Sequence, residues 1–311
     1  MFKKVMVLLT SVIILVFAFD FFSFKNLKSL QSYTKLPSFQ LTKPNKPSNP
    51  EATIILTGDI MLGRSVMKIS LSKNDPSYPF EKVSDILKKT DIVFGNLENP
   101  IVLNCQFSDS GLKFCADPKM VDGLRYANIN IVNLGNNHAK NYGEDGLKQT
   151  ENFLSNSGID YVGADNLVIK EINGTKFGFL GFDFVYDKPN DLNYQLIKSS
   201  KEKVDVLIVM VHWGTEYTSD PTNAQKLIAN DLVSSGADVV VGGHPHVIQS
   251  IDSINGKPVF YSLGNFVFDQ PWSEETKKGL VIRLIYNGKK LSKIEKLPVY
   301  MKGIAQPEWT N

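Results

Sequence analysis

The chain has 311 residues, 42% of them hydrophobic and 21% charged, which is the balance of a folded globular protein and excludes a disordered one. Its length suits one large α/β domain or two smaller ones. A net charge of +2, with no long basic run and no arginine-rich stripe, excludes nucleic acid as an electrostatically recruited partner.

Met1-Phe2-Lys3-Lys4 opens into an uncharged run from Val5 to Phe19, interrupted only by Thr10 and Ser11; after Asp20 come Phe21-Phe22-Ser23-Phe24. Counted to Phe24 the segment is about 20 residues, enough to cross a bilayer core. The exit around Phe17-Ala18-Phe19 lacks the small residues of a cleavage site, so residues 1–25 read as an uncleaved membrane anchor, with a cleaved signal peptide as the alternative. Lys3 and Lys4 place the N-terminus inside and the rest outside. The expected location is therefore the cell membrane, crossed once, with the folded domain extracellular. Residues 26–51 are polar and proline-dotted, a solvated stalk. The folded domain is expected over 52–300, with 301–311 as a C-terminal tail.

From Ala52 to Thr57 a β-branched strand runs into Gly58-Asp59. Tyr78 to Lys89 has helical spacing, and the strand Asp91–Gly95 exits into Asn96-Leu97-Glu98. Cys105 and Cys115 sit ten residues apart in a polar segment, too few for a zinc site and suited to a local disulfide outside the cytoplasm. Pro118 to Ala127 reads as helix, Ile129 to Leu134 as a strand ending in Gly135-Asn136-Asn137-His138, and Glu144 to Ser157 as helix with Gly158 at its end. Asn173-Gly174 marks a hairpin between Val168–Ile172 and Lys176–Phe182. The strand Val204–Val211 exits at His212, Ala224–Ser234 reads as helix, and Ala237–Val241 leads into Gly242-Gly243-His244-Pro245-His246. Strands are then expected at Val247–Ile251, Pro258–Leu263, Phe266–Phe268 and Gly279–Tyr286, with hairpins at Asn255-Gly256 and Asn287-Gly288. Alternation followed by hairpins implies a layered α/β sandwich with mixed sheets.

Five strand exits carry one class of residue: Asp59; Asn96 and Glu98; Asn137 and His138; His212; His244 and His246. The chain has only four histidines, and all of them are here. Carboxylate, amide oxygen and imidazole together suit a divalent ion such as manganese, iron or zinc. Open α/β sheets place their ligand sites at such strand ends.

Six ordered blocks between about residues 57 and 268 resemble the poly-γ-glutamate capsule synthesis (CapA-like) family, a branch of the calcineurin-like metallophosphoesterase superfamily. They are Gly58–Arg64, Gly95–Glu98, Gly135–His138 with Asp145-Gly146 beyond, His212–Tyr217, Gly243–Gln249 and Ser262–Phe268. The resemblance implies a four-layer α/β/β/α sandwich, one or two divalent ions, and a surface-exposed, membrane-tethered domain acting on an anionic polymer. Membrane-embedded synthase components are the implied partners. By position, Asp59, Asn137, His212, His244 and His246 match metal ligands, and His138 matches the general acid. The histidine that the superfamily carries two residues after its first aspartate falls at Met61 and its bridging aspartate at Asn96, so Glu98 is expected to replace that charge. One well-held ion, or a second weak one, follows.

Around these, Arg64 is read as steadying an anionic substrate or capping the adjacent helix. Glu216 reads as a partner orienting His212 or a solvated loop charge, and Asn265 as lining the pocket or making a turn. Trp213 and Trp272 are candidates to stack a substrate, with core packing the better fit for Trp213. Three functions stay open: capsule-polymer synthesis, export or attachment; a general extracellular phosphoesterase; and a non-catalytic scaffold that binds the polymer.

Overall fold

A computed structural model describes residues 50–310 of the chain, apart from Asp109 and Ala164. The anchor and nearly all of the stalk lie outside the described residues. Among the described residues no helix is long and apolar enough to cross a membrane.

The first part of the domain alternates strand and helix: β1 (Ala52–Ile60), α1 (Arg64–Ser72), α2 (Ser84–Leu87), β2 (Ile92–Leu97), α3 (Val121–Tyr126), β3 (Ile131–Asn133), α4 (Gly143–Asn156) and β4 (Asp160–Val162). A hairpin follows, β5 (Val168–Ile172) and β6 (Thr175–Phe184), then α5 (Asp191–Lys201), β7 (Val206–Trp213), α6 (Asn223–Ser235) and β8 (Val239–Gly243). The remainder is β: β9 (Ile251–Ile254), β10 (Lys257–Phe260), β11 (Asn265–Val267), β12 (Lys278–Asn287), β13 (Lys290–Met301) and β14 (Pro307–Trp309). One sheet runs β14-β13-β12-β1-β2-β3-β4 with β11 also beside β1; the other runs β5-β6-β7-β8-β10-β9.

Burial shows how the layers stack. Along β1, Ile54 and Leu56 enter a core shared with Phe177 and Phe179 of β6 and Ile208 and Met210 of β7. The intervening Ile55 turns instead toward Val66 of α1 and Leu124 of α3. Along β7, Leu207, Val209 and Val211 face Ile197 of α5 and Leu232 of α6. Strands buried on both faces give these continuous apolar runs, and the two sheets lie face to face with helices outside them. Fully burying one such side chain contributes about 1.5–3 kcal/mol.

Several local expectations change. The helical spacing at Tyr78–Lys89 is met by two short turns, a 3-10 turn at Tyr78–Phe80 and then α2, which still bury Phe80, Val83 and Leu87. Asp59 and His212 lie inside β1 and β7 rather than beyond them, because parallel pairing continues through both residues. Val247–Ser250 is not strand: the chain leaves β8 through two left-handed residues, His244 (φ 92°) and His246 (φ 57°), and regular pairing resumes only at Ile251. The expected tail contains β14, paired to Val299–Met301, with Trp309 donating its indole N–H to Asp85. Helix α5, not anticipated, is capped by a reciprocal pair of bonds between Asn190 and Asn193.

Candidate metal centre

Strand register assembles the site. Asp59 pairs with Asn96 of β2 on one side and with Asn265 of β11 on the other, and Asn96 pairs with Asn133 of β3. Across the gap, His212 of β7 lies between Asp183 of β6 and Gly243 of β8. Two polar rows thus face each other at the ends of parallel strands. Register shifts between Leu56 and Asp59, and again between Asp59 and Ile60, aim this carboxylate. Gly243 is required by close approach: a Cβ there would stand 2.4 Å from Asp59 Oδ1. His244 and His246 hold positive φ, a strained state for imidazole-bearing residues that concentrates at functional sites.

The side chains converge on one oxygen. Glu98 Oε1 lies 3.5 Å from His246 Nε2, 3.8 Å from His212 Nε2 and 4.0 Å from His138 Nε2. Asp59 Oδ1 accepts from Asn96 Nδ2 at 2.8 Å, and its Oδ2 accepts from the His244 backbone N–H at 3.1 Å and lies 3.3 Å from His246 Nδ1. Asn96 Oδ1 accepts from Asn133 and Asn136, whose amides also bond the backbone at Gly135 and Leu97. This fixes Asn96 with its NH2 toward Asp59 and His212 Nδ1 (3.2 Å). Asn96 therefore donates at the position where the sequence resemblance implied a bridging carboxylate.

Burial and charge split the two carboxylates. Burial opposes ionisation of Asp59, but the His246 hydrogen bond and the nearby His212 and His246 bring it down to about 2. Burial, then the Asp59 and Glu216 charges, push Glu98 well above the usual carboxylate range. Burial also lowers His138, lowers His212 strongly, and takes His244 to about 4, helped there by His246. These three imidazoles are thus held neutral, the form that binds metals.

The donor set fits a divalent ion. Glu98 Oε1, Asn137 Oδ1, His212 Nε2 and His244 Nδ1 are buried without a hydrogen-bond partner. Buried polar atoms are almost always paired, so unpaired Glu98 Oε1, His212 Nε2 and His244 Nδ1 among clustered carboxylates and imidazoles point to a cation. The candidates form two groups, Asp59 with Glu98 and His212, and Glu216 with His244 and His246.

Other candidates fall differently. Glu216 groups with His244 and His246 as a candidate ligand. Asn265 accepts at Oδ1 from His246 Nδ1 (3.0 Å), its own amide group donating to Gln270 and the Thr276 carbonyl. Arg64 is not free for an anionic substrate: its guanidinium pairs with buried Asp269 and donates to the Gly111 carbonyl. Met61 folds back so that its sulfur accepts from Gly63 N–H. Trp213 is core, donating to the Tyr261 carbonyl, whereas Trp272 is exposed and meets Tyr217 edge-on at the rim beside His246. Cys105 and Cys115 are joined in a disulfide. Sequence reasoning missed Asn133, Asn136, Asn141 and Asp269. The asparagine within the apolar β3 and the Asp beyond the Phe266–Phe268 run were the available signals.

Two facing mixed sheets whose strand ends gather carboxylates and imidazoles define a metallophosphoesterase-like α/β protein. The chain belongs to the bacterial capsule synthesis protein PGA_cap family, which matches residues 53–270. It is 36% identical over 262 residues to the capsule biosynthesis protein CapA of Bacillus anthracis, covering 75% of this chain and 64% of that protein. It is 35% identical over 248 residues to the PGA biosynthesis protein CapA of Bacillus subtilis (strain 168), covering 72% of this chain and 65% of that protein. The matches thus span just under two thirds of these relatives' length. In fold it is similar to a hypothetical protein from Thermus thermophilus (TM-score 0.54, 17% identity, 79% of this chain and 98% of that one). It is also similar to a Staphylococcus aureus chain provisionally named a 5′-nucleotidase and solved with alpha-ketoglutarate (TM-score 0.51, 13% identity, 81% and 55%).

Proposed function

We propose that this chain is a membrane-anchored, extracellular protein that acts in the synthesis, export or attachment of an anionic surface polymer of the poly-γ-glutamate type, through a metal-dependent, hydrolase-like site. The observation that carries the site is the lone pair of His246 Nε2 facing Glu98 Oε1 at 3.5 Å. Asn265 Oδ1 accepts the hydrogen bond from Nδ1, so Nε2 and the Glu98 carboxylate, once ionised, are two acceptors facing one gap that suits a cation. Family membership supports the polymer, and the apolar run before the domain supports the anchor.

Asp59, Glu98, His212, His244 and His246, with Asn137 and Glu216 at the edges, would hold manganese, iron or zinc, one ion or two. When bound, such an ion supplies Lewis-acid stabilisation of developing negative charge and lowers the pKa of water. His138 points Nε2 toward the same place while Nδ1 bonds Asn141, so Nε2 would first take up a proton there and then pass it to a leaving group. Integral-membrane synthase components are the partners proposed. A scaffold reading is favoured by one observation: Asn96 and Met61 remove a bridging charge and an imidazole.

The test is the metal content of the purified full chain beside Glu98→Gln and His244→Ala, with surface polymer measured in cells carrying His138→Gln. Bound metal lost in the first two variants, and polymer lost in the third, supports the proposal. Turnover of phosphate-ester model compounds abolished by His138→Gln would favour a general phosphoesterase. No bound metal after reconstitution with manganese, iron and zinc would sink the metal-dependent reading in favour of the scaffold.

A further inference from the structure

The segment closed by Cys105–Cys115 reaches the edge of the site and ends on His138. Phe114, next to the second cysteine, stacks on the His138 imidazole with ring centroids 4.1 Å apart and planes 26° apart. Its backbone N–H donates to Asn141 Oδ1 at 2.7 Å, the same oxygen that lies 3.1 Å from His138 Nδ1. One carbonyl oxygen with two donors leaves His138 carrying its proton at Nδ1 and presenting Nε2 inward. The Phe114 ring also packs beneath Arg64, whose Cζ is 4.8 Å from the ring centroid. Arg64 ties the segment down, through its bond to the Gly111 carbonyl and its pairing with buried Asp269. Beside Phe114, Gly63 allows the Cys115 carbonyl to approach: a Cβ there would stand 2.3 Å from that oxygen.

We infer that the disulfide-closed segment 105–115 is a positioning strap for His138, with Phe114 and Asn141 as its positioning residues. The inference rests on the proposed role of His138 for its consequence, but not for its geometry. The cross-link limits the conformations open to the chain between the two cysteines, and so holds one aromatic ring on one imidazole. An oxidising compartment then becomes a requirement for an ordered His138.

The test is an NMR measurement on the full chain labelled only at histidine, with four ring signals and His138→Gln to identify one of them. Stacking on Phe114 shifts the His138 ring protons upfield. That shift should vanish in Phe114→Leu, return in Phe114→Tyr, and be lost or broadened in the double variant Cys105→Ser/Cys115→Ser, with the His212 and His244 signals unchanged. A His138 signal that stays upfield in the cysteine variant would overturn the strap. So would Phe114→Leu leaving it in place. Metal content read on the same samples separates this from the function proposed above: a chain that never binds metal fails that reading while the stacking result stands.

Discussion

Asn265 Oδ1 and His246 Nδ1 lie 3.0 Å apart, and this bond, with Asp59 Oδ2 3.3 Å from the same nitrogen, makes Nδ1 the donor. Because the Asn265 amide group is committed to Gln270 and the Thr276 carbonyl, its oxygen must face the imidazole. His246 therefore donates at Nδ1 and offers a lone pair at Nε2. Partners of this kind orient ligands, and losing one typically weakens metal binding by roughly 10–100-fold. Asn265→Ala should show a loss of that size in a chelator competition titration, and Asn265→Asp, which keeps an acceptor at Nδ1, should recover most of it. Equal affinity in all three proteins would remove Asn265 from the site.

Glu98 is the carboxylate most at odds with its surroundings. It is fully buried, is pushed well above the usual range by burial and then by Asp59, and has one oxygen without a hydrogen-bond partner. Glu98→Gln should raise the unfolding temperature of the metal-free protein at neutral pH and abolish the further rise caused by added metal. Thermal unfolding with and without manganese or zinc measures both. A variant that is still stabilised by metal would show that Glu98 is not a ligand.

Acid should destabilise the metal-free protein. His138, His212 and His244 are lowered by burial, His244 to about 4. The unfolded chain protonates these groups near the ordinary imidazole value of about 6.5, so between there and their folded values it binds more protons and unfolding gains as pH falls. Glu98, raised, works the other way and loses stability as pH climbs through its folded value. Three imidazoles outweigh one carboxyl, and Asp59, at about 2, adds its own loss only below the usual carboxylate range. The urea midpoint should fall between about pH 7 and pH 5. A rise over that interval would mean that Glu98 dominates.

The Arg64–Asp269 pair should behave as a buried ion pair, since the two side chains are only 11% and 3% exposed. Removing one partner strands the other, at a cost of about 3–5 kcal/mol. Asp269→Ala is therefore expected to destabilise by about that much, and Arg64→Ala/Asp269→Ala by clearly less than the sum of the single changes. Arg64→Lys should not restore the wild-type value, because a lysine cannot reproduce the forked contact. Urea denaturation of the four proteins provides the cycle; strict additivity would mean the pair is not coupled.

How much of this was legible beforehand depended on the range of the interaction. The alternating strands and helices, the Asn173-Gly174 hairpin and the histidines near strand ends could be read from the chain, because periodicity, turn chemistry and composition are local properties. The same holds for the apolar N-terminal run and for the order of the six family blocks. Only the folded chain decides which residues meet. Sheet register sets Asp59 beside both Asn96 and Asn265, and the packing of the two sheets brings Glu98 against three imidazoles from three separate segments. Amide polarity was equally out of reach of the sequence. Asn96 donates because Asn133 and Asn136 are already fixed by backbone groups, and Arg64 is spent on Asp269, 205 residues away. Hydrogen bonds saturate and charges neutralise with whichever partner the fold delivers, so residue type gave the chemistry available at each position and tertiary contact chose the role.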